Sequence, residues 1–61
     1  MNATETYNQN KLEIEAEMNN LKRKLRKHNT QFHRTGGTNY AAAGDLGYIL
    51  TLLQQTNEFL K

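Results

Sequence analysis

From Tyr7 to Phe32 the chain repeats one pattern. Tyr7, Lys11, Ile14, Met18, Leu21, Leu25, His28 and Phe32 follow one another at alternating spacings of four and three. Such spacing keeps one face of a helix apolar, as in the seam of a coiled coil, here with two polar flaws at Lys11 and His28. The pattern predicts a first helix from about Glu5 to His33. Thr4 is a candidate cap, and Glu5 suits the positive end of the helix dipole. Residues 1–4 read as a frayed tail. Gly36-Gly37 supplies the left-handed break, within a loop over 34–39, and Thr38 or Asn39 caps a second helix over about 40–60. Its seam is Ala42, Leu46, Ile49, Leu53, Thr56 and Leu60. Tyr48, Leu52 and Phe59 form another apolar strip, broadened by Leu50. A short loop between two helices makes them antiparallel neighbours, so the predicted fold is all-α, one helical-hairpin domain over 1–61.

Size then decides what a hairpin alone cannot do. A chain of 61 residues buries only about 60% of its unfolded surface, and such chains are usually reinforced by disulfides, a metal or oligomerisation. There is no cysteine, which removes disulfides and thiolate metal sites. Self-association remains, and the charges give it a direction. When two copies of the first helix run antiparallel, Ile14 meets Leu25, Met18 meets Leu21, Tyr7 meets Phe32, and the flaws Lys11 and His28 meet each other. Glu15 then lies near Lys22 of the other copy and Glu17 near Lys24, whereas a parallel pairing sets like charges together. The expectation is an antiparallel homodimeric four-helix bundle or a higher oligomer. Its interface is expected at Ile14, Met18, Leu21, Leu25 and Phe32, with Tyr48, Leu52 and Phe59 calling for a further partner.

Composition narrows the chemistry. No Ser/His/Asp or Cys/His set, zinc-protease motif or phosphate-binding loop occurs, and Glu13, Glu15 and Glu17 do not share one helix face. No enzyme, cofactor or metal site is expected. His28 and His33, five apart on a helix, point to different faces, and His28 reads as a seam flaw. No basic segment precedes an apolar run at the N-terminus, and no stretch approaches the ~20 apolar residues that span a bilayer. The expectation is a cytoplasmic protein, in the host cell if viral. The net charge of +2 is mild. The run from Lys22 to Lys27 reads first as the complement of a partner's acidic half, leaving Arg23, Lys27 and Arg34 as an outer basic stripe. The small residues Ala41, Ala42, Ala43, Gly44 and Gly47 read as a close-packing patch, with anion binding as the alternative.

The segments Tyr7-Asn8 and Met18-Asn19-Asn20-Leu21-Lys22 resemble the ligand-binding helix of small helical phage proteins that sequester cyclic-oligonucleotide alarm signals, the anti-CBASS sponges. Asp45-Leu46 and the apolar residues after it are similar to that family's last helix. The resemblance covers about half the chain. It implies a non-catalytic viral counter-defence protein in which Tyr7, Asn8 and Lys22 contact a nucleotide across a subunit boundary. This chain is shorter and lacks arginine in its second helix.

Three functions follow. One is a homo-oligomeric sponge for an anionic cyclic nucleotide, with Tyr7 stacking, Asn8 hydrogen-bonding, Lys22 or Arg23 neutralising phosphate, and Thr38 in the loop as a further contact. Another is an adaptor or inhibitor that grips a host protein through Tyr48, Leu52 and Phe59. The third is a small nucleic-acid-binding regulator that uses Arg23, Lys27 and Arg34.

Overall fold

A computed structural model describes residues 2–60. They form two helices, α1 (Ala3–Arg34) and α2 (Tyr40–Phe59), with no strand among the described residues. The all-helical hairpin expected from the pattern is present. Met1 and Lys61, the outermost residues of the expected domain and, for Met1, of the expected tail, lie outside the described residues.

Helix α1 starts earlier than the pattern indicates. Asn2, not Thr4, caps it: the Asn2 Oδ1 accepts from the Glu5 amide at 2.8 Å, and the Asn2 carbonyl accepts from the Thr6 amide at 3.1 Å. An asparagine here satisfies one of the amides that a helix start leaves unpaired. Ala3 and Thr4 are therefore helical instead of frayed. The far end of α1 closes through backbone bonds from Gly36 to the His33 carbonyl (3.1 Å) and from Gly37 to the Phe32 carbonyl (3.0 Å). Both glycines adopt positive φ, 90° and 71°, a region that costs other residues about 1–2 kcal/mol. Asn39, not Thr38, caps α2, its Oδ1 accepting from the Ala42 amide at 3.2 Å. Thr56, the polar member of the α2 seam, turns its hydroxyl back to the Leu52 carbonyl at 2.9 Å.

The two seams face each other and touch only sparsely. Phe32 lies beside Ala42, and His28 beside Leu46, around one recess; Leu21 and Leu53 share one groove. Contact is closest near the turn, where Leu21, Leu25, His28, Phe32, Ala42 and Ile49 are half-buried. No residue is fully buried. Leu21, Leu25 and Phe32, assigned from sequence to an interface between copies, are thus partly covered by their own chain: the loop is short enough to return α2 onto that half of the seam.

Two lengths fix the shape. The 32 residues of α1 and the 20 of α2 measure about 48 Å and 30 Å at 1.5 Å per residue. The first turns of α1 therefore extend past the end of α2, and the molecule measures 51 × 21 × 13 Å. Its radius of gyration, 15.6 Å, compares with about 10.5 Å for a compact domain of this length. Its accessible surface, 5748 Å², exceeds by about 1,600 Å² that of a compact monomer of the same mass. A typical protein–protein interface takes about 800 Å² from each partner. The excess is larger than one such interface.

Candidate functional site

The surface left bare falls into an apolar groove, a basic stretch and a polar turn. The groove, ≈ 560 Å³, lies between the open half of α1 and Leu53 of α2. Ile14, Met18, Leu21 and Leu53 floor it, and Asn10, Glu13 and Glu17 rim it. Ile14 is 59% exposed although it continues the seam that α2 covers nearer the turn. One turn past Leu21, Leu25 sits in a shallow depression with Lys22 and Arg26. An acid-rimmed apolar groove and a base-rimmed apolar spot thus occur on one helix. Surfaces of that kind are self-complementary when two copies run antiparallel.

Of the ligand-binding residues expected from sequence, Tyr7 and Asn8 project from the overhanging end of α1, Tyr7 70% exposed. Lys22 and Arg23 are exposed midway along the same helix. Fifteen residues of helix separate Tyr7 from Lys22, about 22 Å, so one chain does not bring them together. Arg23 donates from Nη2 to the Asn20 Oδ1 at 2.8 Å. Thr38 lies in the turn, at the edge of a ≈ 230 Å³ depression with Phe32, Gly37 and Tyr40. Arg34, with Lys27 and Arg23 on one outer stripe, lines a wider cleft at the turn together with Gln31, Thr35 and Asn39. The expected strip on α2 is bare: Tyr48 is 67% and Phe59 86% exposed.

His28, the second polar flaw of the α1 seam, gains a charged neighbour. It is half-buried in the seam, with Nε2 3.7 Å from the Asp45 carboxylate and Nδ1 buried without a hydrogen-bond partner. The spacing argument, confined to one helix, does not assign Asp45 to His28. The signal lay in the seams: Leu46 faces His28, and Asp45 is the residue before it. The small-residue patch also differs in part. A Cβ at Gly44 or Gly47 meets nothing within 4 Å, so only Ala42 of that set is half-buried within the chain.

Among the described residues no group of three or more His, Cys, Asp or Glu is placed to hold a metal ion, and no helix is long and apolar enough to cross a membrane. No protein-family model, curated protein or solved structure matches this chain.

Proposed function

We propose that this chain is a non-catalytic, self-assembling binding protein that holds an anionic oligonucleotide at the boundary between copies. The observation that carries the reading is the self-complementary face of α1, an acid-rimmed groove around Ile14 and a base-rimmed spot around Leu25. Antiparallel copies cover each groove with the other's basic half and remove the exposed seam from water.

The ligand half of the proposal rests on the overhang. Tyr7 offers a ring and Asn8 an amide, the groups that stack on a base and hydrogen-bond its edge. In the antiparallel pairing Tyr7 faces Phe32 of the other copy, whose Lys22 is then ten residues away, about 15 Å along the helix. That span suits a cyclic di- or trinucleotide better than a mononucleotide. With the resemblance of Tyr7, Asn8 and Lys22 to the phage sponges, this supports viral counter-defence by sequestration.

Native mass spectrometry of protein purified from its expressing cells tests both halves. Expected is a multiple of the 7.1 kDa chain that carries a phosphate-containing adduct, and calorimetry with cyclic di- and trinucleotides reproducing that binding. Silence across the panel removes the nucleotide. A second reading is favoured by the bare Tyr48, Leu52 and Phe59 strip, which suits a protein partner. It predicts that Leu52→Glu with Phe59→Glu abolishes capture of one host protein while the assembly survives.

A further inference from the structure

We infer that the recess beside Phe32, at the turn end of one hairpin, seats Tyr7 of a second copy. The recess, ≈ 100 Å³, is walled by His28, Asn29 and Phe32 of α1 and by Ala42, Ala43 and Leu46 of α2. Two alanines, Ala42 and Ala43, stand where larger side chains would fill it, beside the half-buried Phe32. In the antiparallel pairing of α1 with its copy, Tyr7 falls opposite Phe32, Lys11 opposite His28, and Asn8 opposite Asn29. Those three α1 residues are the recess walls. The pairing follows from seam spacing and charge, and α2 adds what neither contains, the walls made by Ala42, Ala43 and Leu46.

The chemistry agrees position by position. Tyr7 has an exposed ring that finds an aromatic wall and two methyl groups. Asn8 meets an amide. Lys11 arrives beside His28 and gains Asp45, whose carboxylate stands 3.7 Å from the imidazole, as a nearby opposite charge. A two-fold axis makes the contact twice per dimer. The overhang of α1, without a neighbour in its own hairpin, thereby becomes the clasp that locks one hairpin to the turn of the next. This inference rests on the self-assembly in the proposed function and gives Tyr7 its place in the joint, one face of the ring against Phe32 and the other left to stack on a base when a nucleotide is bound.

The cysteine-free chain allows a direct test. In the double variant Asn8→Cys with Asn29→Cys, the two thiols of one chain are 21 residues of helix apart, about 31 Å, beyond a short bis-maleimide crosslinker. The expected result is efficient covalent dimer from the double variant and none from Asn8→Cys alone. Sedimentation of Tyr7→Ala should show dimer dissociation raised by about tenfold or more, the usual mark of an anchoring aromatic, with Tyr7→Phe near the parent value. A dimer by sedimentation that yields no crosslink, that crosslinks through Asn8→Cys alone, or that tolerates Tyr7→Ala overturns the seat while leaving self-assembly standing. A folded monomer at every concentration overturns the self-assembly as well.

Discussion

The two ends of this hairpin carry the same pattern and treat it differently. Near the turn, α1 presents Leu21, Leu25, His28 and Phe32 to α2, and these residues are half-buried. Toward the open end the seam continues through Met18, Ile14 and Tyr7 at unchanged spacing, yet these side chains stand in the open. Sequence spacing is blind to that difference because it registers the face of a helix and not what covers it. The second helix is about a dozen residues shorter than the first, so it cannot follow the seam to its end. In the proposed assembly the seam that outruns its own hairpin is covered by a second copy, oriented by the opposite charges around Ile14 and Leu25.

The sharpest way to break this comparison is to cut both ends alike. Leu25→Ala should destabilise the assembled protein by about 2–4 kcal/mol in denaturant titration, as truncation of a core leucine does. Ile14→Ala should cost nearly as much, although Ile14 is open in the single chain. A cost for Ile14→Ala below about 0.5 kcal/mol, the range of ordinary surface changes, would return the open end to the solvent.

The turn itself separates glycines by duty. Gly37→Ala forces a side chain into positive φ and should cost about 1–2 kcal/mol. Gly44→Ala, in the body of α2 with open space around the new methyl, should raise thermal stability by about 1 kcal/mol through helix propensity. A loss at Gly44 would mean that bare backbone there is in use by a partner. Asn39→Ala removes the α2 cap and should cost about 1 kcal/mol, seen as reduced helicity and melting temperature.

Smallest is the charge test. Glu15→Lys or Lys22→Glu should each weaken association by about 0.2–1 kcal/mol per pair, and the double exchange should restore it. A double variant no better than the singles would contradict the antiparallel orientation.

Most of the hairpin was legible in the sequence. The four-three spacing marked both helices, and Gly36-Gly37 marked the turn. Legible too is the His28–Asp45 contact, because the seam of one helix read backward against the other sets Leu46 on His28. The start of α1 was obscured because Asn2 and Thr4 are both good caps, and spacing of apolar residues does not distinguish them. The candidate site was less legible. Tyr7, Asn8, Lys22, Arg23 and Thr38 lie along more than half the length of the molecule, and no periodicity within one chain gathers them. In the proposed assembly a symmetry operation draws them nearer, and its trace in one chain is the charge pattern and the overhang.

Sedimentation equilibrium at low micromolar concentration measures the point on which all of this turns. Helical protein should sediment at a multiple of 7.1 kDa, with the multiple lost when Ile14 becomes Asp. A well-folded species at the single-chain mass would contradict the account, for it would show that the bare seam of α1 needs no second copy.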